Sequence, residues 1–184
     1  MRKIGICVLL VLTFVVAGVA QKKQPRTARD YFMLLPDKYF SLDCCMTMPR
    51  AKRKAAYLKR YILTEDNSNG YISAFADAAQ EGMVLALFKR PDGTRLVGFY
   101  TEGEGGIEDT PWAVFLDYRK GRWTDVSRQV IPDYDKEKYI YELPRRGTSI
   151  VVYSKTEDSS EPFYRGEKLY ELAWENGKFV RRKQ

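Results

Sequence analysis

The stretch Met83-Val84-Leu85-Ala86-Leu87-Phe88-Lys89, Arg90-Pro91-Asp92-Gly93-Thr94, Arg95-Leu96-Val97-Gly98-Phe99-Tyr100 decides the fold. Two apolar runs flank a short segment of turn chemistry, in which proline presets one corner and glycine accepts a positive φ. A connection that short joins antiparallel strands. Neither run alternates apolar with polar residues. Met83 to Phe88 is apolar throughout, and Leu96 to Tyr100 is apolar except at Gly98. Strands of that texture sit in the middle of a sheet that is covered on both faces.

The same punctuation recurs on both sides of this hairpin. Tyr61 to Glu65 and Tyr71 to Ala76 flank Asn67-Ser68-Asn69-Gly70. Trp112 to Tyr118 and Arg122 to Thr124 flank Arg119-Lys120-Gly121, and Lys168 to Trp174 and Lys178 to Arg182 flank Glu175-Asn176-Gly177. Each pattern predicts a hairpin, with Ser149 to Lys155 as a further strand. Leu116-Asp117-Tyr118-Arg119-Lys120-Gly121-Arg122-Trp123 echoes Leu172-Ala173-Trp174-Glu175-Asn176-Gly177-Lys178-Phe179. Both predict a cross-strand aromatic pair beside a tight turn. Two copies are too few for a solenoid or propeller.

Helical signals precede the strands. Thr27 caps a short helix through Tyr31, Phe32, Leu34 and Leu35, which Pro36 stops. A second helix begins near Thr47, with Pro49 in its first turn and a body from Arg50 to Tyr61. Tyr57, Leu58 and Tyr61 form its apolar stripe. Arg50, Lys52, Arg53, Lys54, Lys59 and Arg60 read as its solvated face. One short helical turn is expected near Asp125 to Ile131, ended by Pro132. Asp133 to Tyr141 and Ser154 to Glu161 read as charged connecting segments. The expected fold is α+β: two short N-terminal helices in residues 21–60, packed on a curved antiparallel β-sheet of hairpins, a meander, in residues 61–184.

The N-terminus carries an export pattern. Arg2 and Lys3 precede an apolar run from Ile4 to Val19, and Gly18-Val19-Ala20 offers small residues for cleavage. The expectation is a signal peptide over residues 1–20 and a single mature domain over 21–184, periplasmic or secreted, with no membrane span after cleavage. Gln21 to Arg29 reads as a polar, basic arm. Loss of Arg2 and Lys3 lowers the formal net charge of +7 to +5. That balance permits an anionic partner without demanding one, and no nucleic-acid partner is expected. Cys44 and Cys45 remain after cleavage. Ring strain disfavours a bond between adjacent cysteines, so free thiols or a link to another chain are expected.

The chain has no histidine. Ser-His-Asp and Cys-His catalysis, histidine-based zinc sites and histidine-held haem are therefore excluded within it. Catalysis would rest on carboxylates, lysine, tyrosine or thiol. The densest polar segment is Thr101-Glu102-Gly103-Glu104-Gly105-Gly106-Ile107-Glu108-Asp109, in which Glu102, Glu104, Glu108 and Asp109 form a candidate ligand loop. Its spacing matches no metal or hydrolase motif, and a solvated acidic loop is the simpler reading. No catalytic, cofactor-binding or metal-binding residue is assigned. Glu65 to Ala76 superficially resembles a calcium loop but lacks the closing glutamate, which leaves a hairpin turn.

Leu35-Pro36-Asp37-Lys38-Tyr39, Asn69-Gly70-Tyr71, Ala86-Leu87-Phe88-Lys89, Trp123-Thr124-Asp125-Val126, Tyr141-Glu142-Leu143-Pro144 and Leu169-Tyr170-Glu171-Leu172 occur in an order that resembles small exported proteins of Bacteroidota-type bacteria. The resemblance spans most of the mature chain and rests on turns and strand aromatics, so it brings no catalytic residues. The expected function is a non-enzymatic binding or interaction module of the cell envelope, with a glycan or peptide as partner. The alternatives are a carboxylate-based glycan hydrolase using the Glu102–Asp109 loop and a secreted enzyme inhibitor. For inhibition of a basic enzyme such as lysozyme, a basic chain has the wrong sign of charge.

Overall fold

A computed structural model of the chain describes residues 24–40, 42, 47–75, 82–102, 110–156 and 165–182. The signal segment, Cys44, Cys45, Glu104, Glu108 and Asp109 lie outside the described residues. Among the described residues no helix is long and apolar enough to cross a membrane.

Helix α1 spans Ala28–Leu34. Thr27 accepts from the Asp30 N–H while Asp30 accepts from the Thr27 N–H, a reciprocal cap that closes two of the donors a helix start leaves open. The helix thus takes in the last two residues of the expected arm. Helix α2 spans Arg50–Tyr61 and follows Pro49, which needs no amide partner there. Strands β1 (Ile62–Asp66), β2 (Tyr71–Ala74), β3 (Met83–Lys89), β4 (Arg95–Thr101), β5 (Trp112–Arg119) and β6 (Arg122–Asp125) form a six-stranded antiparallel sheet in chain order. A short helix α3 (Ser127–Val130) leads away from it.

The expected single meander ends there. β7 (Tyr139–Glu142), β8 (Ser149–Lys155), β9 (Arg165–Glu175) and β10 (Lys178–Arg181) form a separate four-stranded antiparallel sheet. The physical reason is the apolar character of β3, β4 and β5 on both faces: one sheet with helices on one side leaves the other side wet. Met83, Leu85, Val97, Phe99, Val114 and Leu116 pack toward α1 and α2. Ala86, Phe88, Leu96, Tyr100, Ala113 and Phe115 pack toward the second sheet. The result is three layers, with the six-stranded sheet in the middle.

Phe40 is the hub of the helical side, with its ring 5.6 Å from Phe32, 5.2 Å from Tyr57 and 5.7 Å from Phe99. Across the other interface, Phe179 lies 5.0 Å from Phe88 and 5.5 Å from Phe115. Asp133 to Tyr141, expected as a solvated connection, is the main correction. Its end is strand β7, and Ile140 and Tyr141 are fully buried. The four hairpin turns fall as expected, at Asn69-Gly70, Asp92-Gly93, Lys120-Gly121 and Asn176-Gly177.

The two echoed hairpins have one geometry. Tyr118 stands opposite Trp123 with rings 4.9 Å apart, and Trp174 opposite Phe179 with rings 4.8 Å apart. Lys120-Gly121 and Asn176-Gly177 all have positive φ, as a two-residue turn matched to strand twist requires. Each hairpin also hooks its tryptophan to another layer. Trp123 Nε1 donates to the Leu34 carbonyl at 3.0 Å, and Trp174 Nε1 donates to the Lys89 carbonyl at 2.7 Å.

Candidate functional site

The third tryptophan behaves differently. Trp112 opens β5, is 5% exposed, and its indole N–H has no hydrogen-bond partner among the described residues. A buried N–H left unpaired costs about 1–3 kcal/mol. Trp112 lines an open cleft of ≈ 680 Å³. That volume lies within the range of roughly 300–1,000 Å³ typical of ligand sites.

Four segments build the cleft. Lys38 and Tyr39 come from the turn after α1, and Trp112 and Val114 come from β5. Asp125 to Gln129 run from the end of β6 through α3, and Tyr134 to Glu137 precede β7. The walls are braced from behind. Ser127, 1% exposed, accepts from the Phe115 N–H at 2.8 Å and donates from its own hydroxyl to Asp125 Oδ1 at 2.7 Å. Tyr134 donates its hydroxyl to the Ala113 carbonyl and stacks on Tyr141 with rings 5.4 Å apart. Lys136 Nζ lies 5.5 Å from the Trp112 ring centre.

Charge in the cleft is balanced: Lys38, Arg128 and Lys136 face Asp125, Asp135 and Glu137. The carboxylates are occupied with structure. Asp125 Oδ1 also accepts from the Ser127 N–H at 2.9 Å. Asp135 accepts from the N–H groups of Glu137 and Lys138 at 3.0 and 3.3 Å, with Lys138 Nζ at 3.2 Å. Desolvation pushes the Asp135 carboxyl up, but these donors outweigh it and hold the group below its ordinary value. A general acid at neutral pH needs the opposite shift. Glu137 lies 3.7 Å from Lys136.

Of the candidate loop residues, Glu102 alone is described. It follows β4, is half-buried, and its N–H donates to the Gly82 carbonyl at 3.3 Å. It does not line the cleft. Its carboxylate acts on Tyr100, whose phenol is pushed far up by burial first and by Glu102 next. The Tyr100 and Tyr170 hydroxyls and Arg165 Nε are also buried without partners among the described residues. Among the described residues no group of acidic, cysteine or histidine side chains is arranged to hold a metal ion. Sequence reasoning missed the cleft because its parts come from four separated segments. Its one local signal is the tryptophan that opens β5.

No protein-family profile matches the chain, and no curated protein matches it. A solved structure that is similar is a domain of an uncharacterized protein from Porphyromonas gingivalis W83. It is 10% identical, with a TM-score of 0.48, and the match covers 87% of this chain and 100% of the other.

Proposed function

We propose that the protein is an exported, non-enzymatic binding module of the bacterial cell envelope that holds a short neutral glycan in the Trp112 cleft. The observation that carries this reading is the cleft of ≈ 680 Å³ itself, which is lined by the aromatic rings of Trp112, Tyr39 and Tyr134 and by a balanced set of charges. The exposed part of the aromatic lining offers a face on which a sugar ring stacks. The balanced ring of ammonium, guanidinium and carboxylate groups suits a ligand that both donates and accepts and carries no net charge. The cleft carboxylates are tied to local backbone and hydroxyl groups, which favours binding over hydrolysis.

The test is calorimetric titration with neutral envelope-glycan oligomers and, in parallel, short peptides, followed by product analysis. Saturable glycan binding that weakens about tenfold in Trp112→Phe, with the glycan recovered intact, is expected. Peptide binding in its place, or glycan cleavage, overturns the reading. Export is tested separately by N-terminal sequencing of protein from its native host, which is expected to begin at or near Gln21.

A further inference from the structure

A second recess of ≈ 430 Å³ lies away from the Trp112 cleft, between the entry to α1 and the β3–β4 and β5–β6 turns. Its charged lining is Arg26, Arg95, Arg119 and Lys120, with no carboxylate among the lining residues. Arg26, Arg95 and Lys120 side chains make no ion pair among the described residues. Arg119 reaches Asp92 and Asp117 only at 3.5 Å each. Both of those carboxylates are committed elsewhere. Asp92 accepts from the Thr94 hydroxyl at 2.6 Å and from its N–H at 2.9 Å, and Asp117 pairs with Arg90.

The strand register adds an independent sign. Arg95 stands directly opposite Lys89, and Arg119 directly opposite Arg122. Like charges facing each other across antiparallel strands destabilise the sheet. Two such pairs at adjacent hairpin ends concentrate positive potential where the recess opens. Arg95 is half-buried there, in the strand next to that of Tyr118, and lines the recess with Tyr31 and Tyr118. An anion in the recess faces Arg95 and Arg119, one member of each pair, and guanidinium groups match the paired oxygens of an oxyanion.

The geometry points to an oxyanion-binding site in this recess, which takes a phosphate ester, a sulfate ester or a carboxylate on a small carrier and is distinct from the neutral-glycan cleft. Arg95 is its central contact, with Arg26, Arg119 and Lys120 around it.

The experiment is calorimetry and amide-shift mapping on the mature chain at constant ionic strength, with inorganic phosphate, a sugar phosphate, a sugar sulfate and glucuronate as separate probes. Saturable binding of at least one probe with Kd below about 10 mM is expected, with shifts confined to residues around Arg95 and Lys120. Affinity is expected to fall about tenfold in Arg95→Gln and to be unchanged in Lys168→Gln, which alters a distant surface cation. Arg26→Gln combined with Lys120→Gln changes only exposed groups. It provides a second measure should Arg95→Gln fold poorly, with a similar loss expected. The four probes separate phosphate, sulfate and carboxylate preference. Absence of saturation with every probe, or equal affinity in wild type and the Arg26/Lys120 double variant, overturns the assignment.

Discussion

Lys54 Nζ donates to the carbonyl oxygen of Phe32 at 3.1 Å and lies 5.4 Å from the centre of the same residue's ring. It also donates to the Leu35 carbonyl. The side chain is 3% exposed. A lysine of α2 thus closes the C-terminal end of α1, where the Phe32 carbonyl also accepts from the Leu35 N–H at 3.1 Å and the helix dipole is negative.

Lys54→Met keeps the stem and removes the donor. The expected cost is about 1–3 kcal/mol, because the Leu35 carbonyl then loses the ammonium, while the Phe32 carbonyl keeps the Leu35 N–H. Urea denaturation should show a lower midpoint with an unchanged slope. A midpoint equal to wild type would show that water replaces the ammonium at no cost.

Gly98 sits in β4 on the side facing the second sheet. A Cβ at this position would stand 3.0 Å from Leu143, 3.1 Å from Phe88 and 3.2 Å from Phe115. All three neighbours are buried, so none moves freely. Gly98→Ala is expected to destabilise by about 1–3 kcal/mol through overpacking. The penalty should shrink in a Leu143→Ala background, which opens the tightest contact. A double-mutant cycle that shows simple additivity would contradict this account.

Asp66 holds the β1–β2 turn. It accepts from the Ser68 hydroxyl at 2.7 Å, the Asn69 side chain at 2.9 Å and the Asn69 N–H at 3.2 Å, and Arg145 Nε lies 3.4 Å away. The Asn69 side chain first, then these other donors, hold its carboxyl far below the ordinary carboxylate range. A depressed folded-state pKa contributes stability that is complete above the unfolded value of about 3.9 and is lost as pH falls through the folded value. Asp66→Asn is therefore expected to be less stable than wild type at neutral pH, with a gap that narrows on acidification below about pH 4. Denaturation midpoints across that range test it, and a gap that stays constant would remove Asp66 from the acid response.

Trp112→Phe should leave the ligand-free protein nearly as stable as wild type, within about 1 kcal/mol. The smaller ring leaves a void, but the substitution also removes a buried donor that has no partner. Trp174→Phe is the contrast, because it breaks a 2.7 Å bond to the Lys89 carbonyl and should cost more. A larger loss at Trp112 than at Trp174, measured by thermal unfolding, would mean that the indole N–H is not a spare donor.

Much of the fold was legible locally. The unbroken apolar run of β3 predicted burial on both faces, and the structure covers both. Tyr118 and Trp123, like Trp174 and Phe179, were placed opposite one another by the turn between them, since a two-residue loop leaves one register. β7 was not legible. Tyr139-Ile140-Tyr141-Glu142 is four residues long and follows Asp133, Asp135, Lys136, Glu137 and Lys138, so composition over any wider window is that of a loop. Lys54 was read as part of a solvated face because its spacing from Tyr57 and Leu58 marks the inward stripe only if a polar group waits there.

Turns, caps and strand periods depend on residues within a few positions of each other, and the chain states them outright: the Thr27 cap, the four glycine turns, the two aromatic hairpins. Which sheet a strand joins depends on what covers the far face of its neighbours, and that is a question of total buried area across the molecule. The division into two sheets, the burial of Lys54 beneath α1, and the cleft assembled from Tyr39, Trp112, Ser127 and Tyr134 were decided only when all layers closed together. The contacts that make them join residues far apart in the chain, and no local pattern encodes a contact of that range.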